Sequence, residues 1–426
     1  MVERDKVLEE HRKNRGKIEI MPKVPLASSE DLSTFYTPGV AYPSLAIKED
    51  RDLSFEYTGR SNTIAIVSDG TRILGLGNIG PEAGLPVMEG KAALFKKFGG
   101  VDAVPICIGT TNEDEIVAFL KNISASFGAI NVEDIESPKA FNVVNRAQNE
   151  LEIPVFHDDQ QGTAVVAVAA LMNAIKLSGK GRNAKIVVNG AGTAGIGVVK
   201  LAMHAGFTNI VVLDSRGAIY EGRDSEQNEF KREIASKTNL SKERGSLSEI
   251  ARGADVLIGL SKKGIFTKEI ISSMNEKPII FALANPEPEI DYEEAKAAGA
   301  YIVATGRSDR PNQVNNVVAF PGIMRGLLDV RAKKINMEML YAASLALSKG
   351  VGNKLNTDFI LNSVFDKEYP KIASEIAAAV GVAAMDSGVA RISKDKKRIK
   401  KDALNMIKRY ARFEKRFFKK IKTNNT

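Results

Sequence analysis

The sequence has very little cysteine and histidine, and each shortage excludes a kind of site. Cys107 is the one cysteine among 426 residues, so an intrachain disulfide cannot form, which suits a reducing cytoplasm. The three histidines, His11, His157 and His204, do not supply a multi-histidine zinc site and argue against a histidine proton relay. The chemistry of this protein must therefore use other residue types.

Long apolar segments are also missing. The longest run, AVVAVAALM at residues 164–172, is shorter than the roughly 20 apolar residues that cross a bilayer. The N-terminal stretch MVERDKVLEEHRKNRGK lacks the apolar core of a secretory signal. The chain contains no internal repeat and no low-complexity linker. We expect a soluble cytoplasmic protein without a membrane partner.

Excess positive charge is confined to one end of the chain. The net charge is +8, but residues 391–426 contain 15 lysines and arginines against 3 acidic residues, so this tail carries +12 and the rest −4. Apolar residues recur in the tail near helical spacing, at Leu404, Ile407, Tyr410 and Phe413. The pattern predicts an amphipathic helix that packs on the body of the protein; the alternative is a surface for an acidic partner. We expect packing, and no nucleic-acid partner.

Short apolar runs alternate with helical patterns up to about residue 326. The predicted strands are 54–57, 63–67, 103–109, 129–132 and 153–156, then 185–188, 209–213, 254–260, 278–284 and 301–305. The predicted helices include 112–123, 162–179 and 137–151, the last with Ser137 as N-cap and Pro138 as first helical residue. Such alternation predicts parallel sheets with right-handed crossovers.

The predicted fold class is α/β with two domains. Residues 1–160 form an N-terminal substrate and metal domain with a mixed or parallel sheet, and residues 161–326 form a Rossmann-type, doubly wound dinucleotide-binding domain. Residues 327–390 are a helical segment that packs on both domains, and residues 391–426 are the basic helical tail. The helix at 162–179 is expected to bridge the two sheets.

A glycine-rich turn predicts the cofactor site. VVNGAGTAGIG carries G-x-G-x-x-G at Gly190, Gly192 and Gly195, directly after a strand and at the start of a helix. These glycines allow a tight turn, close approach of a pyrophosphate and close helix packing, while Thr193 and Ala194 lie between them at the helix start.

An acid follows that turn at the expected distance. Asp214 ends the next strand after Gly195, at the position where a carboxylate can accept hydrogen bonds from ribose hydroxyls. Asp214 favours NAD, because a carboxylate repels the 2′-phosphate of NADP. Arg216 could attract that phosphate instead, so NADP stays open.

A second match to the glycine pattern does not predict a dinucleotide site. GLGNIG at 75–80 has the same spacing, but Pro81 and Pro86 follow it, no helix is expected to open at the third glycine, and no strand ends with an acid about 20 residues later. We interpret 75–80 as a glycine-rich loop near the substrate.

Two pairs of acids follow two predicted strands that one helix connects. Glu133 and Asp134 come after the strand at 129–132, and Asp158 and Asp159 after the strand at 153–156. If these strands are parallel neighbours, all four carboxylates emerge at one sheet edge, where they repel unless a cation or protons intervene. Oxygen ligands alone select Mg²⁺ or Mn²⁺. The alternative is that the acids face water in a loop.

A dinucleotide together with a hard cation limits the reactions that the protein could catalyse. Hydride transfer converts an alcohol to a ketone, and a cation can chelate a 2-hydroxy or 2-oxo acid. If that acid also carries a β-carboxylate, the cation acts as an electron sink for its loss as CO₂.

The chain resembles the malic enzymes of the short prokaryotic type. The residues that carry the resemblance run in order from about 30 to 330: FYTPGVA, DGTRILGLGNIG, EGKAALF, NVEDI, FHDDQQGTA, NGAGTAGIG, ALANPEPEI and QVNNVVAFPG. The resemblance implies oxidative decarboxylation of L-malate to pyruvate and CO₂ with NAD or NADP and a divalent cation, in a homodimer.

The resemblance also implies residue roles. The metal ligands fall on Glu133, Asp134 and Asp159, with Asp158 behind them, in a position to pair with Lys91. Lys91 matches the general base and Tyr36 the acid that protonates C3 of enolpyruvate. Substrate contacts match Arg72, Asn285 and Asn316, and Asn285 also falls at the cofactor. The residues alone would make Lys91 a solvated helix residue and Tyr36 a packed tyrosine beside a turn.

Two other functions remain open at this level. An amino-acid dehydrogenase can share a two-domain plan and a lysine base, but it needs no oxygen-ligated cation, so sensitivity to EDTA separates the two. A non-catalytic dinucleotide sensor whose basic tail contacts nucleic acid or membrane would bind its partner with steep salt dependence.

Overall fold

Two β-sheets organise the chain in the computed structural model, which describes residues 3–223 and 228–424. The first sheet contains β1 (Thr63–Ser68), β2 (Asp102–Cys107), β3 (Ala129–Val132) and β4 (Val155–His157) in the order β2-β1-β3-β4, with every pair parallel. Val67 lies opposite Val132, and Val132 opposite His157. The segments that follow β1, β3 and β4 therefore leave the sheet at one edge.

The second sheet has six strands in the order β10-β9-β8-β5-β6-β7. They are β5 (Ile186–Asn189), β6 (Ile210–Asp214), β7 (Gly217–Ala218), β8 (Val256–Gly259), β9 (Ile279–Ala282) and β10 (Ile302–Thr305). All pairs are parallel except β7, a short antiparallel edge strand on β6. The order reverses between β5 and β8, which is the switch point of a doubly wound fold. The predicted α/β class is confirmed.

Helices cover both sheets. Before the second sheet they are α1 (Arg4–Asn14), α2 (Ser29–Phe35), α3 (Ala41–Glu49), α4 (Ser54–Tyr57), α5 (Pro81–Gly99), α6 (Glu113–Ile123), α7 (Lys139–Glu150) and α8 (Thr163–Ser178). Within it lie α9 (Thr193–His204), α10 (Glu229–Ala235), α11 (Leu247–Ala251), α12 (Lys268–Ser272) and α13 (Tyr292–Ala297). The last four are α14 (Phe320–Asp329), α15 (Met337–Gly350), α16 (Tyr369–Asp386) and α17 (Lys396–Asn424).

Helix α8 lies in the largest apolar core, together with side chains of both sheets. The helical stretch Asp158–Ser178 is long and apolar enough to cross a membrane, but 72% of its most apolar 18-residue window is buried inside the protein, as in a core helix. The predicted domain boundary at 160 falls between the last strand of the first sheet and the first strand of the second. The four domain ranges stay a prediction.

Three predictions about secondary-structure elements differ from the structure. Helix α5 begins at Pro81, directly after Gly80, where no helix was expected, because proline is tolerated in the first turn of a helix. Residues 54–57 form the short helix α4 rather than a strand, because Phe55 turns into a buried position and lies against the guanidinium groups of Arg60, Arg331 and Arg391. Ser137 does not cap α7, which begins at Lys139 after a cis Ser137–Pro138 bond.

The two ends of the described chain differ in how they pack. In α17, Ile399, Ala403 and Ile407 are buried, and Lys97 of α5 pairs with Glu414 at 2.6 Å. The first half of the basic tail thus packs on the body, against α16 and the C-terminal end of α5. The N-terminal segment instead exposes large apolar side chains, among them Ile20, Leu32, Phe35, Tyr36, Val40, Tyr42 and Leu45.

Candidate active site

The two predicted pairs of acids meet at the edge of the first sheet. Glu133 and Asp134 come directly after β3, and Asp158 and Asp159 directly after β4. One carboxylate oxygen each from Glu133, Asp134 and Asp159 lie within 4.8 Å of one another. Glu133, Asp134 and Asp158 are buried. The structure therefore brings together the residues that the sequence assigned to a metal ion.

Asp158 joins this cluster to two further predicted residues. Its Oδ2 accepts hydrogen bonds from Nζ of Lys91 at 2.5 Å and from Nδ2 of Asn316 at 2.6 Å. Nζ of Lys91 also lies 2.8 Å from Oε1 of Glu133 and 4.5 Å from the ring centre of Phe320. Only 11% of the Lys91 side chain is exposed. Lys91 is thus a buried, paired ammonium and not a solvated helix residue.

The turn that carries Asp158 and Asp159 is a single π-helical turn, Asp158–Gly162, which continues into α8. A glycine is required at 162, since a Cβ there would collide with Oδ1 of Asp158. The same turn packs directly on α9, since a Cβ at Gly197 would collide with the carbonyl oxygen of Gln160. The acidic cluster is therefore fixed against the helix that begins at the glycine-rich turn.

A buried ion pair ties the loop after β1 to the loop after β3. Nζ of Lys139 lies 2.7 Å from Oδ2 of Asp69, and both side chains are buried. The hydroxyl of Thr71 donates to Oδ1 of Asp69 at 2.6 Å and accepts from the backbone N–H of Glu136 at 3.0 Å. We call these four residues the loop clamp. It holds the segments on either side of Glu133 and Asp134.

The charges of the cluster shift its ionisation equilibria. Burial raises the pKa of Glu133 well above its ordinary value, and the neighbouring carboxylates add to this against the charge of Lys91. Burial and the charge of Asp159 raise the pKa of Asp134 to about 7. Burial alone would lower the pKa of Lys91, but Asp158 and Glu133 raise it above its ordinary value. The four acids thus hold more negative charge than one lysine compensates.

The donor set fits a hard divalent cation. Every ligand that the three clustered acids offer is a carboxylate oxygen, which Mg²⁺ and Mn²⁺ prefer over zinc. Oδ1 of Asp158 is buried and has no hydrogen-bond partner among residues 3–223 and 228–424. A cation would relieve the repulsion among these groups, so Glu133, Asp134 and Asp159 are suited to hold one.

The other predicted substrate residues lie in loops around the cluster. The backbone N–H of Arg72 donates to the carbonyl oxygen of Asp134 at 3.0 Å, and the Arg72 side chain is exposed. Asn285 lies after β9, is exposed and precedes a cis bond to Pro286. A Cβ at Gly75 would come within 2.9 Å of the Pro286 ring. The second glycine-rich loop therefore contacts the segment of Asn285.

Tyr36 stands apart from these contacts. Its side chain is 64% exposed at the end of α2, and the hydrogen bonds of this residue run to Leu32 and Val40 in its own segment. Within the described part of the chain, none of its hydrogen bonds joins it to the acidic cluster.

The glycine-rich turn has the geometry of a dinucleotide site. Gly190 has a φ of +130°, and a Cβ there would lie 2.5 Å from the carbonyl oxygen of Leu260 after β8. A Cβ at Gly195 would collide with the carbonyl oxygen of Gly190. A Cβ at Gly192, by contrast, would meet no atom within 4 Å, so the backbone there is open to a ligand. The hydroxyl of Thr193 is buried without a hydrogen-bond partner among the described residues.

A cavity of about 1100 Å³ opens in front of this turn. Its lining includes Gly190, Gly192, Asp214 and Lys231 of the second sheet, and Ser137 after the acidic loop of the first. The cavity thus lies at the switch point, where doubly wound sheets bind nucleotides, and it extends to the first sheet.

Both carboxylate oxygens of Asp214 accept hydrogen bonds from groups of the same chain. Its Oδ1 accepts from the backbone N–H of Arg216 at 2.9 Å and from Nη2 of Arg223 at 2.8 Å. Its Oδ2 accepts from the same Nη2 at 3.0 Å and from Nζ of Lys231 at 2.8 Å. Burial alone would raise the pKa of Asp214, but the hydrogen bonds from Lys231, Arg216 and Arg223 hold it below its ordinary value.

Known proteins resemble this chain along almost its whole length. The family model described as malic enzyme, N-terminal domain, matches residues 15–117, and the one described as malic enzyme, NAD binding domain, matches residues 160–385. The chain is 52% identical over 394 residues to the bifunctional malic/malolactic enzyme of Bacillus subtilis, covering 92% of this chain and 95% of that protein. This chain belongs to the malic enzyme family.

Further malic enzymes support the assignment. The chain is 49% identical to the NAD-dependent malic enzyme of Geobacillus stearothermophilus, covering 88% of this chain and 78% of that protein. The crystal structure of malic enzyme from Pyrococcus horikoshii superposes with a TM-score of 0.94 at 44% identity and 98% coverage of both chains. Other relatives are named NADP-dependent malic enzymes, and the chain spans about half of their length. The second sheet is thus the NAD- or NADP-binding part of a malic enzyme fold.

Sequence reasoning missed several contacts of this malic enzyme family member. Asp69 belongs to the DGTR motif and Lys139 is the first residue of α7. Their ion pair joins two distant segments of the chain, so no local sequence pattern predicts it. The two cations on Asp214 come from later parts of the chain, and the sequence drew attention to Arg216 alone. Asn131, which donates to Oε2 of Glu133 at 2.7 Å, had the pattern of an ordinary strand residue.

Proposed function

We propose that this chain oxidatively decarboxylates L-malate to pyruvate and CO₂ while reducing NAD⁺ or NADP⁺. The observation that carries the proposal is the contact between the π-helical turn of Asp158 and Asp159 and α9 at Gly197. This contact holds the acidic turn beside the helix that begins at the dinucleotide turn, which supports one site for ion, substrate and cofactor. The names of the relatives agree with this chemistry.

We infer that Glu133, Asp134 and Asp159 hold Mg²⁺ or Mn²⁺. Their carboxylate oxygens are close together, mostly buried and unbalanced by Lys91 alone. When bound, the ion would polarise the 2-hydroxyl oxygen of malate and stabilise the negative charge that develops as CO₂ leaves.

Lys91 is proposed to take the proton of the 2-hydroxyl while the hydride on C2 moves to the nicotinamide. Its ammonium pairs with Asp158 and Glu133, and both raise its pKa. Lys91 can therefore act as a base only once the charge of these carboxylates is compensated and its pKa falls. Asp158 holds the amine in position, and Phe320 covers it from water.

Oxidation leaves a 2-oxo acid whose bond between C3 and the C4 carboxylate then breaks. The electron pair stays on the organic fragment as an enolate, CO₂ leaves, and the phenol of Tyr36 donates a proton to C3. Arg72 is proposed to bind a substrate carboxylate, and Asn285 and Asn316 to donate amide hydrogen bonds to the substrate. Asn285 would also contact the nicotinamide side of the cofactor.

We propose that the N-terminal segment packs on a second copy of the chain. It exposes Phe35, Tyr36 and Tyr42 in a stretch of further apolar side chains, a surface typical of a subunit interface. In a homodimer Tyr36 would complete the site of its partner. We expect this homodimer in the cytoplasm, with L-malate as its substrate and with neither nucleic acid nor membrane as a partner.

One assay tests the activity. Purified protein receives L-malate with NAD⁺ or NADP⁺, with added Mn²⁺ or with EDTA, while reduced dinucleotide and pyruvate are both measured. We expect equal amounts of the two products with Mn²⁺ and a loss of turnover with EDTA. Turnover that survives EDTA favours an amino-acid dehydrogenase-like enzyme, and dinucleotide binding without any turnover favours a sensor.

The name of the Bacillus subtilis relative gives a second candidate reaction. A bifunctional enzyme would return the hydride from the reduced dinucleotide to pyruvate before release, so that malate yields lactate and CO₂ without net reduction. Lactate measured in the same reactions tests this: lactate in excess of reduced dinucleotide supports it, and its absence leaves malate oxidation alone.

A further inference from the structure

The contacts of Asp214 bear on which dinucleotide the chain selects. Four hydrogen bonds reach this carboxylate, two on each oxygen: one backbone N–H, two from one nitrogen of Arg223 and one from Lys231. An ionised carboxylate offers about four lone-pair positions, so these bonds use them all. A ribose hydroxyl would have to displace a charged donor before it could bind there.

The local charge also favours an anion. Asp214 contributes one negative charge, while Arg223 and Lys231 contribute two positive charges in direct contact with it. Lys231 therefore supplies a partly exposed cation beside the strand end that reads the adenine ribose in this fold. The backbone N–H of Arg216 donates to the same carboxylate, and Arg216 is an exposed residue.

Lys231 can reach a ligand. Its side chain is 24% exposed and lines the 1100 Å³ cavity together with Asp214 and Gly192. The ammonium has three N–H donors, and the bond to Asp214 uses one of them. The other two have no partner among residues 3–223 and 228–424, so they can donate to phosphate oxygens, with which lysine forms charge-assisted hydrogen bonds.

We propose that Lys231 binds the 2′-phosphate of NADP and that this chain binds NADP more tightly than NAD. The inference rests on the proposed function, since it assigns the cofactor of that reaction. It reverses the preference that Asp214 alone indicates in the sequence. In this geometry Asp214 positions the two cations, and it does not receive the ribose.

The test is direct binding, measured by calorimetry without malate or metal. NADP⁺ and NAD⁺ are titrated into the intact protein, with 2′,5′-ADP and 5′-ADP as probes that report on the 2′-phosphate. We expect at least tenfold tighter binding of NADP⁺ than NAD⁺ and the same order for the two probes. Tighter binding of NAD⁺ overturns the proposal.

Three variants assign the effect to the residues. Lys231→Gln should lower the ratio of NADP⁺ to NAD⁺ affinity at least tenfold. Its control is Lys237→Gln, which removes a lysine that pairs with Glu233 at 2.9 Å; it should leave both affinities within twofold of the unmodified protein. Asp214→Asn should lower the NAD⁺ affinity less than threefold, because no ribose hydroxyl binds there. An unchanged ratio in Lys231→Gln, or a tenfold loss of NAD⁺ affinity in Asp214→Asn, contradicts the inference.

The binding test separates this inference from the proposed reaction. If NAD⁺ binds better and supports malate oxidation, only the cofactor preference is wrong. If neither dinucleotide binds, the cofactor preference and the proposed function fail together.

Discussion

At the scale of single residues, the site depends on an ammonium that lies between two carboxylates. Lys91 is held by Asp158 and Glu133 at hydrogen-bond distance, under the ring of Phe320. An amine in this position is oriented for proton transfer, but it is useful as a base only when the surrounding negative charge is balanced. The role of Lys91 and the occupancy of the three neighbouring acids are therefore coupled.

The first residue-scale prediction concerns Lys91→Met, which keeps an unbranched chain without the amine. Loss of a general base costs about 10²–10⁴-fold, so we expect kcat to fall by that amount, with dinucleotide affinity within twofold of the unmodified protein. The matched control is Lys97→Met on the same helix, whose amine pairs with Glu414 at the surface and should leave kcat unchanged. Turnover in Lys91→Met near the unmodified level would exclude Lys91 as the base.

The second concerns Asp159→Asn, which removes one proposed ligand charge and keeps the shape of the side chain. We expect Mn²⁺ to bind about tenfold more weakly or worse, since even the outer contacts of metal sites contribute about 10–100-fold. Titration of free Mn²⁺ by electron paramagnetic resonance measures this without relying on turnover. Asp114→Asn on α6, whose carboxylate pairs with exposed Arg146, is the control. Equal affinities in the two variants would remove Asp159 from the ligand set.

At the scale of secondary-structure elements, local patterns were enough for some features and not for others. Strands β1, β3, β5 and β9 and the glycine-rich turn were predictable, because apolar runs and glycine spacing are local properties. Helix α4 was not predictable, since so short a segment shows no helical periodicity of apolar residues. Phe55 also contacts three arginines, two of which come from distant segments. The start of α7 also differed, because Lys139 is anchored to Asp69 in another loop.

Some features of the candidate site could likewise be predicted from the sequence, and others could not. The convergence of two acidic pairs followed from a helix that connects parallel strands, and it could be predicted without any relative. The burial of Lys91 could not, because its partner Asp158 follows β4 and is itself held by Asn316 from a distant loop. The hydrogen bonds that Asp214 accepts from Arg223 and Lys231 could not be predicted either, since a sequence does not reveal which donors reach a carboxylate.

The element-scale prediction concerns the loop clamp. Lys139→Met leaves the buried carboxylate of Asp69 without its counter-charge, so we expect the free energy of unfolding to fall by about 3–5 kcal/mol. Denaturant titration measures it, and the double variant Asp69→Asn/Lys139→Met should recover part of the loss. The control is Lys121→Met, whose ammonium faces Glu150 at 3.5 Å on the surface and should leave the midpoint unchanged. A midpoint that Lys139→Met does not shift would contradict the stabilising role of the clamp.

At the scale of the whole molecule, the exposed apolar side chains of the N-terminal segment are the basis of the proposed homodimer. Tyr36 is part of that surface, while the acidic cluster lies at the edge of the first sheet. A two-fold homodimer would cover the segment and carry each Tyr36 to the other subunit. Each active site would then consist of residues from two chains.

Mixing two inactive variants tests this arrangement. Tyr36→Phe and Lys91→Met are each expected to lack turnover, and their co-expression yields dimers of which about half contain one copy of each. If Tyr36 acts on the partner's site, one site in every mixed dimer is intact, and about a quarter of normal turnover returns. If Tyr36 serves its own subunit, mixing restores nothing. Light scattering during chromatography provides the control, since both variants should elute as dimers.

The packing of α17 against α5 has a consequence for how the protein is made. Helix α5 carries Lys91, yet residues that pack against its C-terminal end, Ile407 and Glu414, are translated long after it. Asn316, too, is translated long after Asp158, whose carboxylate it holds. The nascent polypeptide therefore contains Lys91 and Asp158 well before it contains the segments that complete their surroundings.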